Sequence, residues 1–143
     1  RSVFFYYKDK MDGKDWSTYD DLKPYKIGGV LGYGDHEDLV KKGLNVDFAP
    51  EAGMSWKKLK AGRIDLFSEN ELVGKESIKN ILPDDIDNFH TLPTPAYEVP
   101  LHIMIDKNNA ESLALLDKFN AALKTVKANG EYQKILKKYN VVQ

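Results

Sequence analysis

The sequence predicts an α/β fold built on a mainly parallel β-sheet. Apolar segments of strand length alternate with amphipathic segments of helix length along most of the chain. This alternation is typical of βαβ units, in which each helix connects two parallel strands. Gly43 and Gly62 follow two of the helical segments, where the left-handed end of a helix favours glycine. Two longer amphipathic segments complete the chain.

Six segments have the composition of β-strands. The first is apolar and aromatic, the second leads into a glycine-rich corner, and the last is strongly apolar and contains His102. We predict that His102 is a structural histidine on one face of the sheet. The predicted strands are residues 2–8, 25–31, 45–49, 63–70, 89–92 and 99–105.

The helical segments are recognised by their spacing and by their ends. Asp35 is a predicted N-cap. Acidic residues follow it in the first turn and lysines lie at the end of the segment, an arrangement that the helix dipole favours. Near the C-terminus, apolar residues recur at helical spacing on both sides of Asn129-Gly130. The predicted helices are residues 35–42, 53–61 and 71–81, a single turn at 20–23, and two helices within 111–139.

Composition excludes several classes of function. The chain has 143 residues, 21 basic and 22 acidic, with a net charge of −1. It is therefore in the size range of one domain, and its charge favours neither nucleic acid nor an anionic membrane. The absence of cysteine excludes disulfides and thiol catalysis. The three histidines lack the spacing of metal ligands, and we predict no metal or cofactor.

The segment GGVLGYGDHED, residues 28–38, joins a predicted strand to a predicted helix. It lacks the Gly-Lys-Ser/Thr ending of a Walker loop and the spacing of a dinucleotide loop, and Asp35 would repel phosphate. Glycine lets a ligand approach the backbone closely, and the helix adds unpaired N–H groups. The corner is either a cradle for a small carboxylate or only a tight turn.

Acidic and amide side chains gather after another strand, at Glu69, Asn70 and Glu71. Ligands of open α/β sheets bind at the carboxyl ends of strands. The same residues also suit the solvated first turn of a helix. Both interpretations remain open at this point.

The order of these motifs resembles the C-terminal part of the type II periplasmic solute-binding proteins, in particular the amino-acid-binding group of ABC importers (extracellular solute-binding protein family 3). The segments that carry the resemblance span nearly the whole chain, and the closing Asn-Gly-x-Tyr pattern is the most specific of them. They are YDDLKPYKIGGVLGYG, LKAGRIDLFSENE, PLHIMIDKNN and LDKFNAALKTVKANGEYQKILKKY.

The resemblance implies a periplasmic-binding-protein-like II fold with two lobes around a hinge. Residues 1–101 would form the second lobe with a crossover strand, and residues 102–143 a returning strand and the closing helices of the first lobe. Most of the first lobe would then be missing, so we expect the chain to be cut from a longer protein, or else to have a processed start at Arg1. The closing helices would pair with the missing lobe or self-associate.

The resemblance also implies the binding residues. In the family, backbone N–H groups after the corner glycine bind the ligand's α-carboxylate, at Gly32, Tyr33, Gly34 and Asp35 here. The acid that binds the α-ammonium is replaced by Asn70, so Glu69 or Glu98 could take that role. Tyr97 and Glu98 are candidate cleft residues near the second crossover.

The implied function is non-enzymatic: binding of a small polar solute, such as an amino acid, between the lobes, for delivery to the membrane permease of an ABC importer. The implied location is periplasmic or extracellular. One alternative is an extracellular sensing domain of a signalling receptor. Another is a dehydratase-type enzyme, in which Glu69 or Glu98 would be the acid or base.

Overall fold

A computed structural model describes residues 1–100 and 102–139. The chain divides into two compact units, Arg1–Val99 and Pro100–Gln143. The first unit contains five strands and four helices, and the described residues of the second contain two helices. Leu101 and residues 140–143, which belong to the predicted crossover and to the end of the predicted second domain, lie outside the described residues.

The first unit alternates strands with helices, as predicted. Short 3₁₀ segments lie at Lys8–Met11 and Pro83–Asn88. The elements in chain order are β1 (Ser2–Tyr7), α1 (Tyr19–Leu22), β2 (Lys26–Val30), α2 (Gly34–Lys41), β3 (Asn45–Ala49), α3 (Ala52–Lys60), β4 (Leu66–Asn70), α4 (Glu71–Ile81) and β5 (Phe89–Thr91).

The five strands form one sheet in the order β3-β2-β4-β1-β5. Strand β2 is parallel to both β3 and β4, whereas β1 is antiparallel to both β4 and β5. Four strands therefore run in one direction, which confirms the predicted α/β class with a sheet rich in parallel strands. Because β1 is reversed, its first residue pairs with the last residue of β4, Ser2 with Asn70.

Both faces of the sheet are covered, as the alternation along β1 shows. Phe4 lies in one core cluster with Leu22 of α1 and Leu39 of α2. Phe5 lies in the other with Trp56 of α3 and Ile78 of α4. Successive side chains of a strand point to opposite faces, so this pattern requires a helical layer on each side of the sheet. The result is a three-layer α/β/α unit.

The second unit is a pair of helices, α5 (Ala110–Ala128) and α6 (Glu131–Lys138). Asn109 caps α5 by accepting the N–H groups of Glu111 and Ser112. Gly130 separates the two helices with a φ of 82°, a left-handed conformation that favours glycine. The predicted break at Asn129-Gly130 is therefore confirmed.

The prediction of a strand over residues 99–105 is wrong in its described part. Residues 102–105 belong to no strand, and Ile103 and Met104 are 52% and 94% exposed. A strand needs a partner for its backbone groups, and none of the described strands pairs with this segment. Pro100 also lacks an N–H to donate. His102 is exposed, so its predicted place on a sheet face is wrong as well.

Candidate functional site

The predicted site residues that the structure brings together lie at one edge of the sheet. We call it the carboxyl edge: it is where β2, β3 and β4 end and where β1 begins. Tyr97 reaches it from the other side, because its carbonyl accepts the N–H of Ser2 at 3.0 Å. The carboxyl ends of parallel strands are the usual position of ligands in open α/β sheets.

The glycine corner turns the chain from β2 into α2. Gly32 has a φ of 81°, and Tyr33 donates its N–H to the carbonyl of Val30 at 3.2 Å. The N–H of Tyr33 is therefore used within the turn. Gly34 and Asp35 are the first residues of α2, and among the described residues their N–H groups have no backbone acceptor. They are the donors that the corner offers to a ligand.

The prediction that Asp35 caps α2 is wrong. Tyr33 is the N-cap residue, with extended backbone and no capping side chain, and Asp35 lies inside the first turn. Its carboxylate instead accepts a hydrogen bond from the Tyr97 hydroxyl, with 2.8 Å between Oη and Oδ2. This contact ties the start of α2 to the segment that follows β5.

His36 holds the two central strands together behind the corner, and sequence reasoning missed it. Its Nδ1 accepts the N–H of Val30 at 2.9 Å, which places the ring proton on Nε2, and Nε2 lies 2.9 Å from the carbonyl of Ser68. The side chain is 1% exposed and stacks on the ring of Tyr33. Only its place in the first turn of a helix after a buried strand could have suggested this role.

Glu69 is a half-buried acid at the end of β4. Burial raises the pKa of its carboxyl, and the charge of Asp35 raises it further. The N–H of Asn70, which donates to Oε1 at 2.8 Å, lowers this pKa but does not cancel the effect of burial. Among the described residues, no lysine or arginine pairs with Glu69 or with Asp35. The corner is therefore bordered by two carboxylates without a lysine or arginine partner, and Nε2 of His36, which faces the Ser68 carbonyl, lies 3.8 Å from Oδ2 of Asp35.

Asn70 is the N-cap of α4. Its side-chain oxygen accepts the N–H groups of Leu72 at 3.1 Å and Val73 at 3.3 Å. That oxygen is thus occupied by the helix. The NH2 group of the side chain, which can only donate hydrogen bonds, remains for another partner. The predicted contact of Asn70 with a ligand stays a prediction.

Two further charged groups lie at this edge. Glu71 binds Arg1 at 2.8 Å and Lys75 at 2.7 Å, so its charge is balanced. Glu98 is exposed and, among the described residues, makes no hydrogen bond or ion pair. The structure therefore brings Gly32, Tyr33, Gly34, Asp35, Glu69, Asn70 and Tyr97 together and leaves Glu98 outside their contacts.

The described residues contain no group of three or more histidine, cysteine or acidic side chains arranged to hold a metal ion. In the same part of the chain, no helix has both the length and the apolar character that a membrane crossing requires. What the edge offers is backbone donors, carboxylates and aromatic hydroxyls. Groups of these kinds can form hydrogen bonds and ion pairs with a polar solute.

No family model matches the sequence, and no curated protein matches it significantly. Solved structures do match. An ancestral arginine-binding protein bound to arginine is 25% identical, with a TM-score of 0.66, over 96% of this chain and 59% of that chain. The second substrate-binding domain of a candidate amino acid ABC transporter from Streptococcus pneumoniae is 26% identical, with a TM-score of 0.66. The match covers 96% of this chain and 60% of that chain.

This chain resembles the amino-acid-binding type II periplasmic solute-binding proteins and shares their fold. It spans about three-fifths of the length of the solute-binding proteins that it matches. Domain 2 from TmArgBP, a separate domain, is 17% identical and matches 64% of this chain and 92% of its own length, with a TM-score of 0.51. The predicted resemblance and the predicted fold are thus confirmed.

Proposed function

We propose that this chain is the solute-binding part of an ABC importer component and binds a small polar solute, such as an amino acid. The observation that carries the proposal is the set of N–H groups at the start of α2, which face the carboxyl edge beside Glu69 and Tyr97. The chain shares its fold with proteins that bind arginine and other amino acids. We also propose delivery to a membrane permease outside the cytoplasm, which the same likeness supports.

The N–H groups of Gly34 and Asp35 are the proposed donors to the solute. They are the first groups of a helix, where the backbone dipoles leave a partial positive charge. Residues 32–35 contain no serine or threonine, so the backbone would supply the contact. Glu69 is the proposed partner of a positively charged group, and the NH2 group of Asn70 is a proposed donor to an acceptor atom of the solute.

The two units have different proposed roles. Residues 1–101 would form the second lobe of a two-lobe protein, which the match of 64% of this chain to a separate domain 2 supports. The helices within 102–143 would pack on a first lobe supplied by further residues. Exposed apolar side chains on α5 and α6 support this, among them Leu115, Phe119 and Ile135. A solute would bind between the lobes and favour the closed form.

This arrangement of lobes is tested by sedimentation. Exposed apolar stripes favour association, so the 143-residue chain alone should form oligomers or aggregates, and the complete two-lobe protein should be monomeric. A chain that sediments alone as a folded monomer would contradict the proposed packing.

The binding site is tested with two variants of one residue. Gly34→Pro removes the N–H donor at the first helical position, where proline is well accepted, and the extended Tyr33 before it suits proline. Gly34→Ala keeps the donor, and a Cβ there meets no atom within 4 Å. Calorimetric titration of the complete protein with the common amino acids should give binding that Gly34→Pro weakens and Gly34→Ala preserves. Equal affinities would remove the corner from the site.

A further inference from the structure

A cleft of about 300 Å³ lies beside α2, on the face of the sheet that α1 and α2 cover. We call it the α2 cleft. Its volume is at the lower end of the range of about 300–1,000 Å³ typical of small-molecule sites. It reaches the carboxyl edge through Asp35 and Tyr97, and every residue that lines it belongs to the first unit.

Most of the lining is apolar or aromatic. Leu39 and Ala96 are buried at its base, and Val99 is 62% exposed at its rim. The rings of Tyr19 and Tyr97 complete the wall. Such a surface favours a compact apolar group, because contact with it removes apolar area from water.

The charged groups of the cleft are not equivalent. Asp38 is paired with Lys41 at 2.6 Å, and Lys42 lies over the ring of Tyr19 at 3.8 Å. Asp35 has no lysine or arginine partner among the described residues, and its Oδ2 accepts the Tyr97 hydroxyl. Lys42 follows Asp35 by seven residues on the same helix, about 10 Å along its axis. The end of the cleft at Asp35 is therefore negative.

We propose that the α2 cleft binds a positively charged amine or guanidinium that carries a short apolar body. The cation would contact the carboxylate of Asp35, and the apolar body would lie against Leu39, Ala96 and Val99. This inference rests on the proposed function, since it names the class of solute that the same edge receives.

Charge decides between a cationic and an anionic solute. Asp35 and Glu69 both border the corner, and the charge of Asp35 contributes to the raised pKa of Glu69 after the larger effect of burial. Within the α2 cleft, a solute carboxylate beside the Asp35 side chain would add a third negative charge, whereas an acceptor of the solute has its proposed place at the N–H groups of Gly34 and Asp35. A solute cation would be attracted by both carboxylates, in a partly buried place where water screens charges less.

Three probes with one common body test the charge preference. Tyramine carries an ammonium, 4-ethylphenol is neutral, and 3-(4-hydroxyphenyl)propionate carries a carboxylate. Titrated into the complete protein by calorimetry, tyramine should bind at least about tenfold more tightly than the other two, as charge-assisted hydrogen bonds predict. Equal affinities for the three probes, or no binding of tyramine, would overturn the proposal.

Two pairs of variants locate the contact. Asp35→Asn keeps an acceptor for Tyr97 but removes the charge, and should weaken tyramine about tenfold or more. Glu37→Gln makes the same change of charge on an exposed residue of the same helix, and its affinity for tyramine should stay within about twofold of that of the unchanged protein. If Asp35→Asn does not fold, Val99→Lys at the exposed rim takes its place and should weaken the binding of tyramine. An unchanged affinity in the folded Asp35 or Val99 variant would overturn the proposal.

The failure of this inference is distinguishable from the failure of the proposed function. Amino-acid binding that depends on the Gly34 N–H, without tyramine binding, would leave the proposed function standing and remove the cation preference. Absence of both kinds of binding would contradict both proposals.

Discussion

The side-chain oxygen of Asn70 accepts the backbone N–H of Leu72 at 3.1 Å, at the point where β4 becomes α4. The residue predicted to contact the solute is thus a helix cap. A change at this position affects the helix and the solute site together. The two effects must be separated by the choice of substitution.

The cap can be removed or kept by single substitutions of Asn70. Asn70→Ala removes the acceptor for Leu72 and Val73 and should lower the free energy of unfolding by about 1 kcal/mol. Asn70→Asp keeps a capping oxygen and should change stability little. Urea unfolding of both variants measures this. Equal losses in the two variants would show that the cap does not contribute.

His36 should be essential to the sheet rather than to the solute. His36→Leu leaves the N–H of Val30 and the carbonyl of Ser68 without their buried partner, at a cost of roughly 2–4 kcal/mol in the free energy of unfolding. His90→Leu, at an exposed position of β5, should change it by less than about 0.5 kcal/mol. Chemical unfolding compares them, and a small loss in His36→Leu would contradict the bridging role.

The packing of α4 depends on a missing side chain. A Cβ at Gly74 would lie 2.6 Å from Cζ of Phe5 and 3.3 Å from the ring of Trp56. Gly74→Ala should therefore lower the free energy of unfolding by about 1–3 kcal/mol. At Gly53 in α3, the nearest atom would be 3.4 Å away, at Ile81. Gly53→Ala should therefore be neutral or slightly stabilising. Similar stabilities of the two variants would contradict this account of the core.

Stability should depend on pH through Glu69. Its pKa is raised in the folded state, mainly by burial, so folding favours the protonated carboxyl. This contribution is fully present below the ordinary value of 4.5 and is lost as the pH rises through the folded pKa. The stability of Glu69→Gln should therefore rise relative to that of the unchanged protein as the pH increases from 4 to 7. A difference that is constant or decreases over this range would contradict the prediction.

Local pattern predicted most of the first unit. Helix 71–81 was predicted at its observed bounds because an acidic first turn and Pro83 mark its ends. The strand over 99–105 failed because apolar composition alone does not supply a partner for its backbone groups. The roles of His36 and of the Tyr97 hydroxyl were not predictable either. Both depend on contacts between residues that are distant in sequence. His36 contacts the carbonyl of Ser68, and the Tyr97 hydroxyl contacts Asp35.

Amide NMR of the complete protein tests the central claim most directly. The signals of Gly34 and Asp35 are followed while the amino-acid panel is added. The account predicts that a solute that binds shifts both amides and saturates them at the concentration at which calorimetry saturates. Binding by calorimetry that leaves both amides unchanged would contradict the claim that the start of α2 holds the solute.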